Sequence, residues 1–156
     1  LEALKYLERP VKVVFVGIDS VPDFDLSALE SSGHQVYFAG GMPASEVLPY
    51  YGLFHVKVLT STSEGMSQSL LEAMYLKVPV IATAAAGNLD LIDEGRNGLL
   101  FQDGDVKTLA SLIERIRGDD QFRELLAKEG YQTASVDLSM ENTLDGYEKL
   151  FSSLLN

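Results

Sequence analysis

The stretch that decides the fold is residues 61–78, Ser-Thr-Ser-Glu-Gly-Met-Ser-Gln-Ser-Leu-Leu-Glu-Ala-Met-Tyr-Leu-Lys-Val. A hydroxyl-rich turn here opens a helix, and four apolar residues at helical spacing predict that one face of it is buried. These four residues are Met66, Leu70, Leu71 and Met74. Apolar segments at residues 55–59 and 78–82 predict that the helix joins two parallel strands. In open parallel sheets, ligands bind beyond the carboxyl ends of the strands, where this turn would lie.

The start of this helix is a candidate site for phosphate. Backbone N–H groups at a helix start attract phosphate oxygens, and Gly65 allows a close approach to the backbone. Two carboxylates frame the turn: Glu64 precedes the helix, and Glu72 lies five residues after Ser67, or roughly 7 Å along the helix axis. That distance is about the reach from a diphosphate to the ribose of a nucleotide. For the two glutamates alone, the alternative is that both are ordinary solvated helix residues.

Five segments of the chain resemble the signature of a known family in their order and spacing. They are Ser63-Glu64-Gly65, Leu71-Glu72-Ala73-Met74, residues 78–83, Gly87 and residues 97–101. The signature is that of retaining glycosyltransferases of the group-one, family-four type, which have the GT-B fold and use nucleotide sugars. The resemblance runs from about Val11 to the C-terminus. It departs where the family has Gly-Phe-Gly and this chain has Gly65-Met66-Ser67, as in the glycosyltransferase-one-domain-containing proteins, and this departure leaves the donor sugar open.

The resemblance implies a role for each residue around the helix start. Glu64 would be the catalytic residue that contacts the donor sugar. The N–H groups of the residues from Gly65 through Met66 and Ser67 to Gln68 would hold the sugar and the phosphates. Glu72 would accept both ribose hydroxyls of the donor.

Glycines after the first two strands are further candidate donor-binding residues. Gly17 follows the strand predicted at residues 11–16, whose nearly continuous β-branched run is typical of a strand buried on both faces. The family often has a second glycine two residues later, and this chain has Asp19 there, which weakens the predicted contact. Gly40 and Gly41 follow the next strand, beside the base in the family. For them a plain strand-to-helix turn remains an alternative.

The fold predicted from this pattern is α/β, a three-layer Rossmann-like domain with a mainly parallel sheet of about five or six strands. It would be the C-terminal half of a GT-B glycosyltransferase and bind the donor. Residues 1–156 form a single domain in this interpretation, and the N-terminal acceptor domain and a first strand would lie outside the chain. A last helix is predicted at residues 140–155. Its apolar stripe would pack either on that N-terminal domain or on the sheet of this domain. The stripe consists of Leu144, Tyr147, Leu150, Phe151 and Leu154.

Composition narrows the function classes. The chain has 156 residues, 46% of them hydrophobic, enough for one domain with a real core. A formal net charge of -11 argues against binding to nucleic acid or to an anionic membrane. We expect a cytoplasmic domain with no membrane insertion, because the sequence has no cysteine, no apolar run near 18 residues and no signal-peptide pattern.

The expected ligand is a nucleotide sugar, UDP- or GDP-linked, which serves as substrate. No metal or other cofactor is expected, because no carboxylate or histidine cluster has ligand spacing. Three alternatives stay open at this point: a non-catalytic nucleotide-sugar-binding module, a two-domain sugar-nucleotide epimerase, and an unrelated receiver or flavodoxin-like domain. The last would use Asp19 and Asp23 as an acidic site.

Overall fold

The computed structural model describes residues 1–20, 24–63 and 65–154. Glu64, predicted to be catalytic, and Asp23, which would belong to the acidic site of a receiver-like domain, therefore lie outside the described residues. The described strands are β1 Lys12–Phe15, β2 Gln35–Phe38, β3 Lys57–Leu59, β4 Val80–Thr83 and β5 Leu99–Phe101. The described α-helices are α1 Ser27–Ser31, α2 Ala44–Tyr51, α3 Gln68–Tyr75, α4 Gly87–Leu91, α5 Val106–Gly118, α6 Asp120–Gln132 and α7 Met140–Leu154. A 3-10 helix spans Glu2–Tyr6, and a π-helical turn spans Thr133–Asp137.

The strands are paired in parallel, as the alternation of strands and helices predicts. β1 pairs with β2, with Val14 opposite Tyr37. β4 lies between β3 and β5, with Ile81 opposite both Val58 and Leu99. The α/β class and the parallel pairing are confirmed, but the described strands form two hydrogen-bonded sheets, of two and three strands, where one sheet was expected.

The prediction that β1 is buried on both faces is wrong. Lys12 is exposed, and the other three residues of β1 are only half-buried. A two-stranded sheet has a free edge on each strand, so a β-branched sequence can form the strand without being fully enclosed.

β4 is the centre of the hydrophobic core. All four of its residues are buried. Val80 and Ala82 pack in a cluster with Leu70 and Met74 of α3, whereas Ile81 packs in a second cluster on α5 and α6. Successive side chains of a strand point to opposite faces, so this alternation places helices on both sides of the sheet. The three layers predicted from the sequence are confirmed.

The apolar stripe of α7 is exposed to solvent. The stripe is exposed at every described position, with 54% exposure at Leu144, 55% at Tyr147 and 60% at Phe151. Tyr147 and Phe151 stack on each other, with ring centroids 6.3 Å apart. The alternative that this helix packs on the sheet of its own domain is therefore wrong.

We expect α7 to be the least stable helix of this chain in isolation. Exposed apolar surface and few neighbours lower the free energy of local opening. Hydrogen exchange of the 156-residue chain should show rapid exchange over Met140–Leu154 and slow exchange over Val80–Thr83. Equal protection of the two segments would contradict this prediction.

Candidate functional site

The loop that follows β3 is anchored to the central strand. The Thr83 hydroxyl at the end of β4 donates a hydrogen bond to the backbone carbonyl of Ser61. The side-chain amide of Asn88 donates to the Thr83 carbonyl at 3.1 Å. Thr83 and Asn88 are both fully buried. The beginning of the loop is therefore attached to the most enclosed part of the domain.

The next part of the loop lies directly against α4. A Cβ atom on Gly87 would overlap the carbonyl group of Gly65 and lie 3.1 Å from the backbone nitrogen of Met66. Backbone thus packs on backbone at this point, and a side chain at residue 87 would push the loop away. Gly87 belongs to the family signature in the sequence, but the signature alone did not predict this contact.

The N-terminus of α3 is open to solvent. Ser67 is the N-cap residue, and its carbonyl accepts from the N–H groups of Leu70 and Leu71, both at 3.2 Å. The Ser67 hydroxyl lies 3.2 Å from the Ser69 hydroxyl, and no side chain among the described residues caps the helix backbone. The first N–H groups of a helix have no carbonyl partner within it, so they are available to a ligand.

Three of the predicted donor-binding residues at this turn are exposed, namely Gly65, Met66 and Gln68, whereas the Ser67 side chain is buried. The prediction that Met66 belongs to the buried stripe is wrong, because its side chain is 49% exposed. Met66 precedes the helix, so helical periodicity does not determine the direction of its side chain. Leu70 and Met74, which lie inside the helix, are buried as predicted.

Glu72 is held by a buried tyrosine. The Tyr51 hydroxyl at the end of α2 lies 3.1 Å from Oε2 of Glu72 and 3.1 Å from the carbonyl oxygen of Ser69. Tyr51 is only 2% exposed, whereas Glu72 is half-buried. Burial and the hydrogen bond to the Glu72 carboxylate both raise the pKa of Tyr51, so this hydroxyl stays protonated as a donor.

Lys57 at the start of β3 adds positive charge near the same carboxylate. Burial lowers the pKa of Lys57, and the negative charge of Glu72 opposes that shift. Neither Tyr51 nor Lys57 was among the site residues predicted from the sequence. The sequence feature that could have identified Tyr51 is its hydroxyl, because a tyrosine that is buried normally has a hydrogen-bond partner.

Glu72 also borders a small apolar cleft of about 320 Å³. The cleft is lined by Leu48, Leu71, Glu72, Tyr75, Leu76, Ala134 and Leu138. Part of the Glu72 side chain therefore borders open space.

The glycines after β1 and β2 form a second group. Gly17 donates its N–H to the Gly40 carbonyl at 2.8 Å, and Gly40 donates to the Ile18 carbonyl at 3.2 Å. Both glycines have positive φ, +96° and +70°, which disfavours any side chain there. A Cβ on Gly40 would lie 2.7 Å from Oδ1 of Asp19, whereas Gly41 is exposed with open space around it.

The structure therefore brings the predicted residues together as two groups. Gly65 to Glu72 share one loop and helix, and Gly17 shares a hydrogen-bonded turn with Gly40. Among the described residues no hydrogen bond joins the first group to the second. In the same part of the chain, no group of three or more His, Asp or Glu residues could hold a metal ion.

None of the helices in residues 1–20, 24–63 and 65–154 is long and apolar enough to cross a membrane.

Residues 1–133 match the family model of the group 1 glycosyl transferases. The chain therefore belongs to the group 1 glycosyltransferases, and the unrelated receiver or flavodoxin-like alternative is excluded. It is 33% identical over 132 residues to the putative teichuronic acid biosynthesis glycosyltransferase TuaC of Bacillus subtilis, covering 85% of this chain and 32% of that protein.

Solved structures agree on the fold. HepE of Anabaena, crystallised with UDP-glucose, superimposes with a TM-score of 0.78 at 25% identity, covering 97% of this chain and 43% of HepE. The C-terminal domain of LpcC from Francisella tularensis superimposes with a TM-score of 0.69 at 20% identity, covering 89% of this chain and 92% of that domain. The chain thus has the fold of the C-terminal half of a GT-B glycosyltransferase. It spans between 23% and 42% of the length of the curated relatives CapM, LpsE, SQD2, EpsD and TuaC.

We expect Gly87→Ala to destabilise the domain by about 1–3 kcal/mol, since overpacking forces backbone shifts. Urea denaturation measures the change. Gly118→Ala is the matched control, because a Cβ there meets no atom within 4 Å. This second change should be neutral or stabilise α5 by about 0.5–1 kcal/mol. Equal free energies of unfolding for the two variants would contradict the packing of Gly87 on the loop.

Proposed function

We propose that this chain is the nucleotide-sugar-binding domain of a glycosyltransferase that transfers a glycosyl group with retention of configuration. The observation that carries the proposal is the pairing of an uncapped, exposed helix start with a half-buried carboxylate, Glu72, on the same helix. A phosphate at the helix start and a ribose at Glu72 fit this arrangement. The HepE structure, which contains UDP-glucose, supports a donor of the same class.

In this proposal the protein supplies binding groups from its own backbone and carboxylates. The N–H groups of residues 65–68 hold the diphosphate and the sugar. Glu72 accepts the two ribose hydroxyls, and the Gly17, Gly40 and Gly41 backbone lies beside the base. Glu64 contacts the donor sugar, where an interaction that strengthens as the glycosidic bond breaks acts on turnover. These steps require no metal.

The exposed stripe of α7 supports a partner for this domain. A contiguous apolar surface on a soluble domain marks an interaction site. Because the chain spans less than half of its relatives, we propose that α7 packs on an N-terminal GT-B domain of the same protein that carries the acceptor site. Transfer then requires both domains, and the 156-residue chain alone binds the donor without appreciable turnover.

A crystal of this chain with a nucleoside diphosphate should show the diphosphate at the N-terminus of α3. The reason is that N–H groups without helical partners and the helix dipole converge there. Difference density measures the position directly. Phosphate density beside Asp19 would overturn the proposed site.

Glu72→Gln should weaken nucleotide binding, and Glu64→Gln in the full-length protein should reduce turnover with a smaller effect on nucleotide affinity. A carboxylate accepts two hydroxyls through charge-assisted hydrogen bonds, and an amide keeps one acceptor oxygen, for a loss of about 1–3 kcal/mol. Calorimetry with UDP and GDP, together with release of free nucleotide from nucleotide sugars, separates the two effects.

Glu124→Gln is the control for this pair, because Glu124 is an exposed carboxylate on α6. It should change neither measurement. Unchanged nucleotide affinity in Glu72→Gln together with wild-type turnover in Glu64→Gln would make both residues ordinary solvated glutamates. Binding without turnover in the wild-type full-length protein would favour the non-catalytic module.

A further inference from the structure

Tyr51 has a hydrogen-bonding arrangement that a purely structural core residue does not need. Its hydroxyl has one proton and two acceptors at the same distance of 3.1 Å, the Ser69 carbonyl and Oε2 of Glu72. The two acceptors lie within one turn of α3. The hydroxyl can therefore donate to either of them, or divide its proton between them.

The ring that carries this hydroxyl is rigid. Tyr51 is 2% exposed and belongs to the core cluster that contains Leu70, Ala73 and Met74. Its ring also meets Phe54 edge-on, with centroids 5.9 Å apart. Core side chains packed in this way keep one rotamer. The position of the hydroxyl is thus fixed by packing. The half-buried Glu72 side chain, in contrast, can rotate about several torsion angles unless a contact restrains it.

We propose that Tyr51 is a positioning residue of the nucleotide site, which orients the Glu72 carboxylate toward the vicinal diol of the donor's ribose. This inference rests on the proposed function of Glu72. With Oε2 tied to Tyr51, the carboxylate is held in one orientation before the ligand arrives, and the entropy of ordering it is not lost on binding.

The second acceptor gives the arrangement a further property. When ribose hydroxyls donate to Glu72, its oxygens become weaker acceptors for the Tyr51 proton. The Ser69 carbonyl, at the same distance, then takes a larger share of that proton. The buried hydroxyl keeps a partner in both the free and the bound states, so ligand binding leaves no unsatisfied donor in the core.

The test measures nucleotide affinity by calorimetry in the full-length protein. UDP and GDP are titrated first, and the tighter of the two is compared with its 2′,3′-dideoxy analogue, which lacks the diol. Tyr51→Phe removes only the hydroxyl and keeps the ring. Tyr50→Phe is the control, because it removes a hydroxyl from the neighbouring residue of α2. The melting temperature of each variant checks that the fold is retained.

We expect Tyr51→Phe to weaken binding of the ribonucleotide by roughly 3–10-fold, the usual net effect of one hydrogen bond. The dideoxy analogue should bind Tyr51→Phe and the wild type within twofold of each other. Tyr50→Phe should bind both ligands as the wild type does. The double variant Tyr51→Phe/Glu72→Gln should bind the ribonucleotide no more weakly than Glu72→Gln alone, because the two residues act through one carboxylate.

The outcomes separate this inference from the proposed function. If Glu72→Gln weakens binding and Tyr51→Phe does not, the role of Tyr51 is overturned while that of Glu72 stands. If Tyr51→Phe weakens the binding of both ligands equally, Tyr51 has a structural role instead of orienting Glu72 toward the diol, and the inference is also overturned. If Glu72→Gln leaves affinity unchanged, the proposed role of Glu72 and this inference are overturned together. If neither nucleotide binds the wild type, the proposed function is overturned as well.

Discussion

The attachment of one loop to the buried strand β4 is the constraint on which the rest of the site depends. The Thr83 hydroxyl holds the Ser61 carbonyl, and Gly87 lies against the Gly65 carbonyl group. One contact comes from the end of β4 and the other from the start of α4. Because Thr83 is fully buried and Gly87 leaves the loop no room to move toward α4, the loop enters α3 from a fixed direction. The exposed N-terminus of α3 is a consequence of that direction.

The helix α3 and the strand β4 could be predicted from the sequence, because the patterns that indicate them lie within short segments. The α3 stripe has helical spacing and residues 78–82 form a continuous apolar run, and the structure contains a helix and a buried strand at those positions. The burial of Met66 was predicted wrongly, because Met66 lies in the loop before α3 and helical spacing does not determine the direction of a side chain there. The division of the strands into two sheets depends on which strand edges meet, and no local pattern encodes that.

The candidate site residues could be identified from the sequence, but the side chain that hydrogen-bonds to Glu72 could not be predicted. Tyr51 is 21 residues away from Glu72, and only the packing of α2 against α3 brings them together. An acidic chain of net charge -11 also needs local positive or hydrogen-bonding groups to bind an anion. The N–H groups at the exposed start of α3 are hydrogen-bond donors of this kind, and no side chain among the described residues caps them.

The reciprocal bonds between the turns after β1 and β2 have an evolutionary consequence. Gly17, Ile18 and Gly40 hold one another through main-chain atoms alone. The side chains of Ile18 and Asp19 therefore contribute nothing to those bonds, and both are exposed. Asp19 Oδ1 lies beside Gly40, but a substitution at either position removes none of the main-chain hydrogen bonds of the turns. The sequence of these turns can thus change by single amino-acid replacements at residues 18 and 19 while the main-chain hydrogen bonds persist.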